Sequence, residues 1–280
     1  GSMAGPKWAA ADWAVERFLD NMHTLDSFAL CLFHDSTSWY REELASADAA
    51  SVADAITWLS QYHDSGGTNL GLALEEALAI SPGEGEATRL VLLITDAQVT
   101  DDGRILRLVN TEASKRVGSR RRINVLCIDA APNAYLAHQM AERGGGIARF
   151  FTSDPGEGDI TTALDRMLAV WAQPTLSDLR LLTDRGSIEA SDRRMVLGTD
   201  GPAVDLGDLP ATMPLWSVCR VPRDQSTSLT LGVEAADGQF AEQLTIDLAV
   251  AQNRPHIKKL FGVRRVNALE HLIAADYPTD

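Results

Sequence analysis

An open, doubly wound and mostly parallel α/β sheet with flanking helices, followed by a small antiparallel β domain and a C-terminal helix, is the fold class this sequence predicts. Three observations carry the expectation. Short unbroken apolar runs, among them LVLLIT at Leu90 to Thr95 and INVLCID at Ile123 to Asp129, have the composition of strands buried on both faces. Between such runs apolar residues recur every three to four positions, the period of helices with one buried side. After Gln173-Pro174 the helical period fades, and short segments punctuated by Gly and Pro replace it.

In chain order, Trp8, Val15, Phe18, Leu19 and Met22 mark a helix from Lys7 to about Met22, with Pro6 well placed in its first turn. FALCLF, Phe28 to Phe33, reads as one buried strand. Helices follow at about Ala49 to Tyr62 and Leu70 to Ile80, before the strand Leu90 to Thr95. A helix near Arg104 to Val117 leads into the strand Ile123 to Asp129, and another at about Pro132 to Arg143 ends in Gly144, Gly145 and Gly146, the residue type expected past a helix C-terminus. A strand at Ala148 to Thr152 and a helix at Ile160 to Trp171 close the series. Strands alternating with helices imply right-handed crossovers and a ligand edge at the strands' carboxyl ends. Beyond Pro174, SLTLGVEAADGQFAEQLTIDL reads as a hairpin turning at Asp237-Gly238, with Phe240, Leu244, Ile246 and Leu248 on one face of its second arm. Pro255 to about Ala274 returns to helix, with Ile257, Leu260, Phe261, Leu269, Leu272 and Ile273 as its apolar side. The expected divisions are 1–173 for the α/β domain, 174–253 for the β-rich domain, and 254–280 for the helix and tail.

Composition narrows the function classes. With 280 residues, 45% hydrophobic and 23% charged, the chain can bury a proper core. Its 25 basic and 39 acidic residues leave a net charge of −14, a poor general partner for nucleic acid or an anionic membrane, whose phosphates call for Lys and Arg. Cys31, Cys127 and Cys219 are odd in number, widely spaced and set in apolar runs, which implies buried thiols in a reducing compartment and a cytoplasmic location. No apolar stretch reaches the roughly 18 residues of a bilayer span. The six histidines lack metal-ligand spacing, and there is no HExxH, CxxC, Gly-x-Ser-x-Gly or GxxxxGK.

Two stretches at the expected strand ends carry chemistry. In SGGTNLGLALEEAL, two glycines precede Thr68 where a helix begins; in LLITDAQ, Asp96 directly follows a buried strand. A hydroxyl and a carboxylate are oxygen donors suited to a hard cation. Each has a plainer reading alone, Thr68 as a helix N-cap and Asp96 as a cap or turn residue. His34 and Asp35 follow another buried run and read as an ordinary loop with a secondary chance of touching a partner. The basic run KRVGSRRR, Lys115 to Arg122, reads as a solvated loop before it reads as a contact surface. Arg254, Lys258, Lys259, Arg264 and Arg265 on the last helix fit docking onto this protein's own body better than a separate partner.

GSMAGPK, GGTNLGLAL and LLITDAQ occur in the order and spacing that resemble the von Willebrand factor A domain family. Its metal-ion-dependent adhesion site joins Asp-x-Ser-x-Ser after the first strand, a Thr from a second loop and an Asp from a third. The resemblance implies Ser2, Thr68 and Asp96 as metal ligands, with no catalytic and no other cofactor residues, and the motif's first Asp and first Ser falling before residue 1. Gly1 and Ser2 read equally as a cloning scar, in which case Ser2 is no ligand. LPATMPLWSVCRV and PHIKKLFGVRRVNALE extend the likeness to bacterial relatives of inter-alpha-trypsin inhibitor heavy chains. The resemblance implies Mg2+ or Mn2+, weak or absent in this chain, and a protein partner that offers an acidic residue, with no nucleic acid and no membrane. It implies no enzyme activity. It also places a central first strand upstream, between Phe28 to Phe33 and Leu90 to Thr95, so that self-association through the resulting gap becomes an expectation. Two rivals stand beside it: a metal-assisted hydrolase with Asp96 as ligand, which lacks an evident base or nucleophile, and a structural scaffold with a dead metal site.

Overall fold

In the computed structural model, residues 3, 5–62, 67–81, 89–96, 101–115, 120–128, 133–151, 162, 165–167, 169–170, 175–193, 195–198, 201–210, 214–235, 238 and 240–275 are described. Ser2 lies outside them, as does the end of the strand expected at Asp129. The chain divides into two compact units, Gly1–Ala169 and Val170–Asp280.

The first unit is mixed α/β. Its helices are α1 (Pro6–Asp20), α2 (Ala49–Leu59), α3 (Leu70–Ala79), α4 (Asp102–Ala113) and α5 (Ala134–Arg143). Four of them start on an Asx side chain that accepts a free backbone N–H: Asp48 from Ala50 and Ser51, Asn69 from Leu72, Asp101 from Arg104, and Asn133 from Leu136. Such caps satisfy donors that the helix itself leaves open. Residues 162, 165–167 and 169 are also helical.

Three strands form a parallel sheet in the order β5-β6-β7: β5 (Leu90–Thr95), β6 (Arg122–Ile128) and β7 (Gly145–Phe151). The triple glycine makes the passage from α5 to β7 almost instantaneous. Gly144 is the helix C-cap and Gly145 takes φ 70°. A β-carbon on Gly146 would meet the Ile123 carbonyl oxygen at 2.3 Å, so only glycine lets β7 approach β6 there. The buried Asn124 Oδ1 accepts the Ile147 N–H at 3.0 Å across the same register shift.

The strand expected over Phe28 to Phe33 forms differently. Ser27–Phe28 (β1) pairs antiparallel with Ala45–Ser46 (β4), and Cys31–Phe33 (β2) pairs antiparallel with Thr37–Trp39 (β3). Neither joins the parallel sheet among the described residues. The partners lie 4–8 positions along the chain for β2 and 17–19 for β1, and loop-closure cost grows only slowly with length, so the run spends its backbone groups locally. Phe28 anchors a core with Leu19, Ala45, Ala47, Val52 and Ala55.

Two cations of the basic run before β6, Lys115 and Arg121, are absorbed internally. The buried Glu112 of α4 accepts the Arg121 N–H at 2.8 Å and pairs with Lys115 at 2.5 Å, while Arg121 Nη1 donates to the Leu78 carbonyl at 3.2 Å. These contacts tie the ends of α3, α4 and β6 together. Residues 116–119 of the run lie outside the described residues.

The second unit holds a five-stranded antiparallel sheet in the order β10-β11-β8-β13-β14, from β8 (Thr175–Thr183), β10 (Met195–Gly198), β11 (Gly201–Pro210), β13 (Ser228–Ala235) and β14 (Ala241–Asp247). Two short strands, β9 (Glu189–Ala190) and β12 (Cys219–Arg220), pair beside it. Leu179, Ile188, Ala190, Val204, Leu206 and Ala235 form its core. The expected inward face of β14 is only partly realised: Leu244 is 62% exposed, because β14 is the edge strand of this sheet.

A final helix, α6 (Pro255–Ala274), buries Ala268 and His271; of the apolar side expected, Phe261, Leu269 and Leu272 are half-buried while Ile257, Leu260 and Ile273 are exposed. Apolar residues ring this helix rather than stripe it, so periodicity could not select a face. Ionic contacts seat it within the unit: Arg264 Nε donates to Asp192 Oδ2 at 2.8 Å, and Arg265 lies 3.6 Å from Glu189. Those arginines dock on this protein's own body.

Candidate metal centre

Asp96 leaves the carboxyl end of β5 and is fully buried. The following helix is capped by Asp101, so capping is not the role of Asp96. Its Oδ2 lies 3.6 Å from the Lys7 ammonium in the first turn of α1. A buried carboxylate is costly unless a cation faces it. Pro6 supplies the helical φ at the start of α1, and Gly5, at φ 69°, turns the chain into it. The start of α1 thus comes to the edge of the sheet where the parallel strands end. Cys127 of β6 lies opposite Thr95 in the ladder. Burial, and secondarily the charge of Asp96, pushes the Cys127 thiol up to about 12.

Thr68 is half-buried immediately before α3. The helix is capped by Asn69, whose side chain accepts from Leu72, so the N-cap reading of Thr68 gives way. The turn after β2 holds the segment on both sides of Thr68. The Gly67 N–H donates to Asp35 Oδ2 at 3.1 Å, and the Asn69 N–H donates to the His34 carbonyl at 2.7 Å. His34 Nδ1 in turn accepts the Asp35 N–H at 2.8 Å.

The structure therefore brings Asp96 to Lys7, and Thr68 to His34 and Asp35. Lys7 belonged to the sequence motif without a role, and Asp35 read as a plain loop; a carboxylate just after an apolar run was the signal for the latter. Among the described residues, no group of three or more His, Cys, Asp or Glu is gathered to hold a metal ion. A carboxylate and a hydroxyl are oxygen donors of the kind a hard cation such as Mg2+ takes, and the ammonium beside Asp96 already balances that buried charge. Asp96 and Thr68 are the residues that would hold such an ion. No described helix is long and apolar enough to cross a membrane.

A family profile for the von Willebrand factor type A domain matches residues 1–98. Inter-alpha-trypsin inhibitor heavy chain H2 of Sus scrofa is 38% identical over 93 residues, 33% of this chain and 10% of that protein. Heavy chain H4 of Homo sapiens is 25% identical over 161 residues, 55% of this chain and 17% of that one. The chain thus spans about a tenth of the length of the H2 relatives it matches. Among solved structures, a von Willebrand factor type A protein from Catenulispora acidiphila superposes with a TM-score of 0.69 at 16% identity, covering 97% of this chain and 76% of that one. That likeness shows a shared fold.

Proposed function

This chain carries a von Willebrand factor type A domain related to those of the inter-alpha-trypsin inhibitor heavy chains, and from that premise we propose that it is a non-catalytic protein-interaction module whose partner offers an acidic side chain to a divalent cation at Asp96 and Thr68. The observation that carries the reading is the fully buried Asp96 carboxylate at the carboxyl end of β5, where a negative charge is costly without a cation to face it. Mg2+ keeps several waters and about six oxygen ligands, so a site with few protein charges leaves the ion electrophilic enough to accept a partner's carboxylate. Calorimetry of the chain with Mg2+ and Mn2+, repeated on Thr68→Ala and Asp96→Ala, tests this. The expected outcome is a metal-linked heat that Asp96→Ala abolishes and Thr68→Ala weakens; a heat unchanged by both defeats the assignment.

One observation favours a second reading, a metal-independent scaffold. The Lys7 ammonium, 3.6 Å from Asp96 Oδ2, can serve as the permanent counter-ion of that carboxylate. A partner bound equally well in excess chelator and in Mg2+ selects the scaffold.

A further inference from the structure

The turn after β2 is not used by the cation reading, yet it grips the segment that carries Thr68 from both ends. Gly67 before Thr68 and Asn69 after it both donate their backbone N–H groups to this turn, one to the Asp35 side chain and one to the His34 carbonyl. The backbone of Thr68 is thereby fixed between two hydrogen bonds, and the direction of its Cα–Cβ bond with it. Glycine at position 67 belongs to the same device. A β-carbon there would stand 2.2 Å from Asp35 Oδ1 and 3.1 Å from its Cγ, so any larger residue must push the carboxylate off the Gly67 N–H. Asp35 is exposed, so its side chain has no packing duty that would account for this contact.

We propose that Asp35 is a positioning residue for Thr68: through the Gly67 N–H it holds the loop in the conformation that presents the Thr68 hydroxyl to a divalent cation. The inference rests on the cation reading above. Partners one step removed from a metal's ligands typically change its affinity by roughly ten- to a hundredfold.

The test is Mn2+ titration of the full chain by calorimetry, with amide hydrogen exchange at Gly67 and Asn69 measured on the metal-free protein. Asp35→Ala should weaken Mn2+ by roughly tenfold and speed exchange at Gly67, whereas Asp35→Asn, which keeps an acceptor oxygen, should restore most of both. In the Thr68→Ala background, Asp35→Ala should cost no further affinity, since it acts through Thr68. Gly67→Ala should match Asp35→Ala alone and add nothing to it. Unchanged Mn2+ affinity in Asp35→Ala, equal losses from Asn and Ala, or additive losses with Thr68→Ala each overturn the inference while leaving the cation reading standing. A parent chain that takes up no Mn2+ overturns the cation reading itself and this inference with it.

Discussion

β5 and β6 read alike as sequences, LVLLIT against INVLCI, yet they live in different surroundings. β6 is hydrogen-bonded on both sides, and every residue from Ile123 to Ile128 is buried. β5 is hydrogen-bonded to β6 along one edge among the described residues, and four of its six residues are only half-buried. Apolar composition therefore marks a strand of a parallel sheet, and position in the sheet decides how much of it leaves water. The chemistry follows the same division. β6 carries a thiol too deeply buried to ionise readily, and β5 ends in the carboxylate that meets Lys7.

The largest contrast should come from truncating one leucine on each strand. Leu126→Ala on β6 removes a fully buried side chain and should cost about 2–5 kcal/mol. Leu92→Ala on β5 removes a half-buried one and should cost about 1 kcal/mol. Urea unfolding of both variants checks this, and equal shifts would mean that β5 is as enclosed as β6.

A smaller effect is expected where the edge strand ends. Lys7→Met strands the Asp96 carboxylate, which should cost about 2–3 kcal/mol, below the range for a fully buried pair because Lys7 is partly exposed. Asp96→Asn introduced alongside Lys7→Met should recover most of that loss. A double-mutant cycle with no coupling would remove the ion pair from the account of this edge.

The smallest effect is a pH dependence. The Cys31 and Cys127 thiols are both raised from 9.0 to about 12, chiefly by burial. An unfolded chain sheds these protons near 9 while the folded one keeps them, so the contribution is complete below pH 9 and falls as pH rises from 9 toward 12. Cys127→Ala should flatten that decline. At pH 8 the central-strand Cys127 should react with a thiol reagent only through unfolding, whereas Cys31, half-buried on the two-stranded β2–β3 ladder, should react sooner through local opening. Equal rates for the two thiols would erase the difference between the sheet's centre and the hairpin.

Much of the fold was legible because the signals were local. LVLLIT became β5 residue for residue, and the final helix spans Pro255–Ala274 as its flanking Pro and apolar content implied. FALCLF was not legible in the same way: an apolar run states that it will be buried, and says nothing of which strand it will pair with or whether the pairing is parallel. At the site, Thr68 and Asp96 stood out because a motif spans them, while Asp35 did not, because its contact with Gly67 bridges 32 positions of sequence. The exposed apolar residues of α6 escaped a helical-face argument because arginine contacts with Asp192 and Glu189, rather than an apolar stripe, seat that helix.

By itself the sequence determined the alternation of strand and helix, the change of grammar near residue 173, and an Asp and a Thr at the ends of elements. Each of these depends on neighbours within one element, where residue type and spacing act directly on the backbone. Only the tertiary structure decided that Lys7 faces Asp96, that His34 and Asp35 hold the chain around Thr68, and that, among the described residues, β6 is paired on both sides and β5 on one. Those outcomes depend on which distant segments meet, and that is settled by the packing of whole elements against one another.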